Sequence, residues 1–346
     1  MLDEDTSASS TGTSASSTSA SSPSTSEICK FIKDYYVIHP SATYNPSEED
    51  IMAYLQCANH PAFFNVYQEP RLTFTDGVPS EKVQQEIIGV TSSRVLNVKL
   101  NLAKGVNKKS FPAYYVDNLC VKPDYRKKGI PPQMIQTFYY NVARVNSKVN
   151  AYMFKREGKL NAIVPLVCFD TFCFDISRIH PDYALTAAMS ILAIDIQTLN
   201  IFIDFIKAQT KTFECVVLPD LSSVLNLIKL GKLKIYGIIF NGELIACYVF
   251  RPIEMYYADK KTVECIAILS RCDTPTILIA GFTMSLAKVR ANAELLLIEN
   301  TADSTDVINY LSTNLSVTCK FKSPTAFFLY NYACYSAKNT KTLLLY

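Results

Sequence analysis

Two stretches of this 346-residue chain hold groups that could do chemistry. The first is its end. Phe327-Phe328-Leu329-Tyr330-Asn331-Tyr332-Ala333-Cys334, a polar bridge, and Thr342-Leu343-Leu344-Leu345-Tyr346 stay apolar to the last residue. Chain ends ordinarily fray into water. An apolar end is expected to be buried, which places the α-carboxylate of Tyr346 inside the protein. A buried carboxylate short of counter-charge is a candidate general base; the plainer alternative is a final strand that completes a sheet. The second stretch is residues 115–135. It reads as a strand, with Val116, Asn118 and Cys120 on one face and Asp117, Leu119 and Val121 on the other. Arg126, Lys127, Lys128 and Gly129 then make a cationic turn. A helix opens near Pro131-Pro132, where the missing N–H groups lack intrahelical partners anyway. Ile130, Met134, Ile135, Phe138, Val142 and Val145 give it an apolar stripe. A cationic loop entering a helix N-terminus suits phosphate, since free N–H groups and the helix dipole both favour an anion. A solvated basic loop before a core helix is the other reading.

The surrounding elements follow from periodicity and caps. Residues 1–26 are mostly Ser, Thr and Ala, with Pro23, and cannot bury apolar surface; a disordered tail is expected. Order should begin near Glu27, with Ile28, Phe31 and Ile32 at helical spacing. Ser47 caps a helix through Ile51, Tyr54 and Leu55. Ile87-Ile88-Gly89-Val90 and Val95-Leu96-Asn97-Val98 look like successive strands. In the second half, Asp195 is placed as the cap of a helix through Leu199, Phe202, Ile203 and Ile206. Asp220 or Ser222 caps another through Val224, Leu227 and Ile228. Asn241-Gly242 turns a hairpin between residues 235–240 and 244–250. Thr274-Pro275 opens a helix over residues 279–289, and residues 295–298 form a strand. Helices, then antiparallel strands, then a strand with a phosphate loop occur, and the theme repeats.

Bulk properties narrow the classes. The length allows two domains and a sizeable core. A formal net charge of +3 and the absence of a basic stripe interleaved with aromatics argue against nucleic acid. Eleven cysteines stand singly, with no C-x-x-C, which fits reduced thiols in a cytoplasmic protein. The longest apolar stretch, residues 184–206, is broken by Asp195, Gln197, Asn200 and Asp204 and is not a membrane span. His39, His60 and His180 each precede a proline and fall in turns. No metal motif or G-x-S-x-G is present. Cys120 is more readily inert packing than a nucleophile.

The segment Leu119-Cys120-Val121 to Pro132 resembles the acyl-CoA-binding motif of eukaryotic glycylpeptide N-myristoyltransferases, and more broadly the pyrophosphate loop of GCN5-related N-acetyltransferases. The Phe-Leu-Tyr-Asn-Tyr-Ala-Cys block and the apolar end are similar to the close of the same family. Asn241-Gly242-Glu243, Glu299-Asn300-Thr301-Ala302-Asp303, Asp34-Tyr35-Tyr36-Val37 and Tyr44-Asn45-Pro46-Ser47 fall in the family's order. The likeness is collinear from about residue 30 to 346 and patchy. Asn118 stands where the family has an aromatic residue, and Gly129 where it has a basic one. The family's acidic run and His-Arg-Ser-Leu-Asn signature are missing, and there is no tryptophan.

The resemblance implies an α/β fold of two tandem pseudo-symmetric acyl-CoA N-acyltransferase halves. Residues 27–183 would bind acyl-CoA; residues 184–346 would carry the peptide side and the terminal carboxylate. It implies transfer of a myristoyl group from myristoyl-CoA, a co-substrate and not a tightly bound cofactor, to N-terminal-glycine peptides, by a monomer without a metal. The motif assigns Leu119, Cys120, Val121, Arg126, Lys127, Lys128, Gly129, Ile130 and Pro131 to acyl-CoA. It assigns the N–H groups of Asn118 and Leu119 to the oxyanion hole, Tyr346 to the base, and Asn300 and Asp303 to the peptide end. Asp303 reads equally well as a helix cap. The competing readings are another acyl-CoA-dependent N-acyltransferase, and a non-catalytic acyl-CoA-binding scaffold.

Overall fold

The computed structural model describes residues 22–346 apart from positions 38, 57–58, 76–77, 102–108, 159, 161–162, 181–182 and 291–292. The bulk of the Ser/Thr-rich tail and Cys57 therefore lie outside the described residues. Helix α1 (Thr25–Tyr35) starts two residues before Glu27, because Ser24 and Glu27 form a reciprocal capping box. Next come β1 (Ala42–Tyr44), α2 (Glu48–Met52), β2 (Phe63–Thr75), β3 (Val78–Leu100), β4 (Lys109–Val121), α3 (Ile130–Val145), β5 (Ala151–Glu157), β6 (Val167–Asp175) and β7 (Met189–Ile194). The chain continues through α4 (Leu199–Gln209), β8 (Cys215–Leu218), α5 (Leu221–Lys229), β9 (Lys234–Phe240), β10 (Glu243–Tyr257), β11 (Lys260–Ser270) and α6 (Pro275–Val289). It ends with β12 (Leu295–Glu299), α7 (Thr305–Thr313), β13 (Thr318–Tyr330) and β14 (Thr342–Leu344).

All these strands join one sheet, ordered β14-β8-β3-β4-β5-β13-β6-β12-β11-β10-β9-β7, with β2 on β3 and β1 on β10. The order is palindromic about the central antiparallel β13–β6 pair. On one side β3 runs antiparallel to β4, β4 parallel to β5, and β5 antiparallel to β13. On the other, β10, β11, β12 and β6 repeat that sequence. Parallel neighbours need a crossover, and α3 and α6 supply it. The fold is thus two pseudo-symmetric α/β halves sharing one sheet. The symmetry breaks at the rim, where β14 is parallel to β8 but β7 is antiparallel to β9.

Several local expectations change. Residues 87–90 and 95–98 lie in one long strand, β3, not two. Thr91 and Ser92 between them are buried and donate to the Asp117 carbonyl at 3.0 and 3.3 Å. On α3 only Ile130, Met134, Phe138 and Val142 are buried; Ile135 and Val145 face water. Thr198, not Asp195, is the N-cap of α4, and the Asp195 carboxylate accepts from the N–H groups of Gln197 and Thr198 one turn ahead. Asp220 is the N-cap of α5, but its side chain bonds Asn59 and Asn97 instead of the helix. The Asn241-Gly242 hairpin and the Thr274-Pro275 helix start stand as read.

Candidate active site

The chain end is buried, and β14 explains how. It pairs parallel with β8, and the Leu345 N–H continues the ladder to the Val217 carbonyl at 2.8 Å. Leu343 and Leu345 enter the core that holds Phe202, Ile206 and Ile266. Leu344 and Tyr346 enter a second core with Val217, Tyr115 and Phe327. Fully burying one such side chain stabilises by about 1.5–3 kcal/mol, which holds a three-residue strand that hydrogen bonds alone would not. The Tyr346 ring meets Phe327 and Tyr115 edge-on, at 5.0 and 5.5 Å between centroids.

Around Tyr346 lies a buried ionic network that no sequence motif announced. The phenol donates to Glu299 Oε1 at 2.5 Å, and Lys155 Nζ lies 2.9 Å from both the phenol oxygen and Glu299 Oε1. Arg251 grips Glu264 through Nε and Nη2 at 2.9 and 2.6 Å. Its Nη1 donates to the terminal main-chain oxygen of Tyr346 at 3.0 Å, and its guanidinium stands 4.7 Å over the Tyr346 ring. The expected shortfall of counter-charge at the chain end is therefore partly met, by an arginine shared with Glu264. Burial and then the neighbouring Glu264 charge raise the Glu299 carboxyl above the ordinary range. Burial opposes ionisation of Glu264 too, but Arg251 and Lys155 outweigh it and hold that carboxyl low. The Tyr346 phenol is pushed well up by burial and by Glu299. Glu299 Oε2 has no hydrogen-bond partner among the described residues.

The sequence did carry a faint signal for this network. Arg251, Glu264 and Glu299 are each a single charge set in or ending an apolar strand run. Charges so placed must be paired when buried. Which charge pairs with which is a matter of sheet order, and no local pattern encodes it.

Tyr115 leads from the network to a break in β4. Register slips between Val90–Cys120 and Ser92–Asp117, so Asn118 and Leu119 form a bulge. Asn118 is in the left-handed region (φ 53), which an Asn tolerates better than most residues. The strict alternation read from residues 115–121 fails here, and Cys120 and Val121 are both buried. The Asn118 N–H donates to Asp117 Oδ1 at 2.8 Å, and its side-chain amide to Ser92 Oγ at 2.8 Å. Tyr36 also donates to Asp117 Oδ1, at 3.1 Å, while Arg94 lies 4.0 Å from Oδ2 and 5.1 Å from the Tyr115 ring centroid. Leu119 is exposed. Burial pushes the Cys120 thiol up to about 12, which suits packing and not nucleophilic attack.

Beyond the bulge, the loop delivers its cations to the start of α3. Gly129 is the N-cap with φ 77, a left-handed conformation for which glycine has no steric penalty. Pro131 and Pro132 occupy the first turn and offer no N–H. Arg126 is committed to backbone, Nε to the Val121 carbonyl at 3.0 Å and Nη2 to the Tyr35 carbonyl at 3.5 Å. Lys127 is exposed, and Lys128 lies 4.7 Å over the Tyr125 ring. Asn300 directly follows Glu299, and its carbonyl accepts from Asn339 Nδ2 at 2.9 Å. Its Oδ1 accepts from Thr305. Asp303 is not a helix cap, since Ser304 holds that place in α7. Its carboxylate accepts from the Ser270 N–H at 2.8 Å and lines a cavity of about 350 Å³ with Cys272, Asp273, Asp306 and Lys341. Among the described residues no group of His, Cys, Asp or Glu could hold a metal ion, and no helix is long and apolar enough to cross a membrane.

No family model and no curated protein matches the sequence. The fold does match solved structures. Saccharomyces cerevisiae N-myristoyltransferase with bound myristoyl-CoA superposes with a TM-score of 0.66 at 13% identity, over 92% of this chain and 86% of that one. A second structure of the yeast enzyme with myristoyl-CoA gives 0.67 at 13% identity, over 92% and 81%. A third, with myristoyl-CoA and inhibitors, gives 0.64 at 12% identity, over 92% and 83%. The chain therefore has a divergent N-myristoyltransferase-like fold.

Proposed function

We propose that this protein is an acyl-CoA-dependent N-acyltransferase that moves a tetradecanoyl group from its CoA thioester to the N-terminal amine of glycine-starting peptides. The observation that carries the reading is the buried end of Tyr346, set on the sheet beside the bulged strand β4, in a fold whose solved examples hold myristoyl-CoA. Lys127, Lys128 and the N–H groups of Gly129 and Ile130 hold the CoA phosphates. Arg126 acts by fixing the loop, and Pro131 shapes the first turn. Leu119, Cys120 and Val121 line the thioester arm. The Tyr346 carboxylate takes a proton from the incoming ammonium, whose pKa of about 8 leaves it mostly protonated at neutral pH. The freed amine attacks the thioester carbon. The oxyanion is met by the N–H groups of Asn118 and Leu119; its collapse breaks the C–S bond, and the proton shed by the new amide nitrogen goes to the departing CoA thiolate. Preorganised donors of this kind are worth roughly 3–4 kcal/mol each. For Asn118 to serve, Asp117 must release its N–H. Asn300 and Asp303 stand on the peptide side. The protein acts as a cytoplasmic monomer.

One observation favours a second reading. The Asp117 carboxylate occupies the Asn118 N–H, which suits a protein that binds acyl-CoA without turning it over. CoA release from myristoyl-CoA, with and without glycine-starting peptides, separates the two. Peptide-dependent release that disappears without Tyr346 supports the transferase. Tight myristoyl-CoA binding without release supports the second reading, and neither overturns both.

A further inference from the structure

We propose that the side chain of Tyr346 is a positioning residue. Clamped by Lys155 and Glu299, it fixes the terminal carboxylate in the place where Arg251 and the acceptor amine reach it. The inference rests on the acyltransferase reading and adds to it the residues that aim the base.

A chain end has backbone on one side only. Here, among the described residues, the last ladder hydrogen bond is that of the Leu345 N–H, and the carboxylate lies beyond it. The side chain supplies the second anchor. Its phenol oxygen sits in a closed triangle with Glu299 Oε1 and Lys155 Nζ, with sides of 2.5, 2.9 and 2.9 Å. Arg251 bridges the two ends of the residue, lying over the ring and donating to the main-chain oxygen. Glu264 holds Arg251 from below and comes within 3.9 Å of Lys155, which closes the circuit. The four partners come from β5, β10, β11 and β12, so both pseudo-symmetric halves set the position of one carboxylate.

The charge balance supports a proton-accepting role. Lys155 and Arg251 face Glu264, Glu299 and the terminal carboxylate, two cations against three anions in a buried space. Uptake of one proton neutralises the set. Buried ion pairs seldom outdo apolar packing for stability, so a positional role accounts for the network better than a stabilising one. Other titratable groups close to the ring and its partners are Tyr115, Tyr54, Tyr44, Tyr257 and Cys265, with Arg94 over the Tyr54 and Tyr115 rings and Glu157 3.0 Å from Lys155.

The test is Tyr346→Phe, which keeps the carboxylate and the ring and removes only the phenol oxygen. A displacement of about 1 Å at a reacting group can cost 10²-fold. The expected result is a 10- to 100-fold fall in kcat, with peptide KM and myristoyl-CoA Kd within twofold of wild type. Trimming of the end by a carboxypeptidase should be at least tenfold faster in the variant. Lys155→Met should reproduce both effects. A Tyr346→Phe kcat within twofold of wild type overturns the inference and leaves the transferase reading intact. A fall in kcat matched by equal weakening of myristoyl-CoA binding also overturns it, because the phenol would then be merely structural. Wild-type protein that releases no CoA with any peptide overturns the transferase reading and, with it, the aiming role.

Discussion

The crossovers β4–α3–β5 and β11–α6–β12 are built on one plan and finished differently. Both begin on a strand with a bulge, at Asn118-Leu119 in β4 and at Ile266 in β11. Both helices open with proline. Yet the first bulge has a left-handed residue beside an exposed Leu119, whereas Ile266 is buried. Helix α3 buries a single stripe. Helix α6 buries residues on every side, among them Leu278, Phe282, Ser285 and Leu286. A Cβ on Gly281 would come within 2.4 Å of the Tyr248 hydroxyl, so that helix lies tight on the sheet. The loop ahead of α3 carries Lys127 and Lys128, while the cavity at the start of α6 is lined by Asp273, Asp303 and Asp306. One scaffold thus serves twice, once with an exposed bulge residue and cations ahead of its helix and once filled as core. The finishing residues, not the plan, distinguish the two crossovers.

The largest expected effect comes from the chain end that joins the two halves. Deleting Leu345 and Tyr346 should lower kcat by about 10²–10⁴, the usual worth of a general base, with far less change in myristoyl-CoA affinity. Equal losses in turnover and in calorimetric binding would make the end structural only. Next in size is the cationic mouth. Lys127→Glu with Lys128→Glu should weaken myristoyl-CoA at least tenfold, since each charge-assisted bond contributes about 1.5–3 kcal/mol. Asp273→Lys, at the matching place in the other half, should leave that affinity within twofold. If both weaken binding alike, the two crossovers are not distinguished in the way proposed.

Smaller effects test the filled half. Gly281→Ala should destabilise by about 1–3 kcal/mol through overpacking, read from denaturant midpoints, with myristoyl-CoA affinity unchanged. The smallest concerns pH. Glu299 has a raised folded-state pKa, so between its ordinary value near 4.5 and the raised one the folded protein binds more protons than the unfolded chain. Its contribution to stability therefore falls as pH rises through that window. Glu299→Gln should flatten that part of the stability profile; an unaltered slope would show that another group sets it. Glu264, held low, contributes in the opposite sense, with stability lost as pH falls through its depressed value.

Much of this architecture was legible in the chain because its signals are local. Ser47 and Asp50, Asn241-Gly242 and Thr274-Pro275 act through their own few residues, and each starts or turns its element as read, although α2 ends at Met52, short of the expected Tyr54 and Leu55. The apolar end had to be buried, since burial of Leu343, Leu344 and Leu345 releases more free energy than fraying. What failed was whatever the partner strand decides. The bulge at Asn118 exists because β4 must match β3 through Thr91 and Ser92, and a strand read alone shows only alternation. Lys155, Arg251, Glu264, Glu299 and Tyr346 lie up to 191 positions apart, and sheet order alone brings them together. By itself, then, the sequence determined helix starts such as those at Ser47 and Thr274, the cationic loop and the buried end, because capping, turn and hydrophobic preferences act over a few residues. Only the tertiary structure decided which charges meet the Tyr346 carboxylate, because pairing among distant strands follows from the whole sheet.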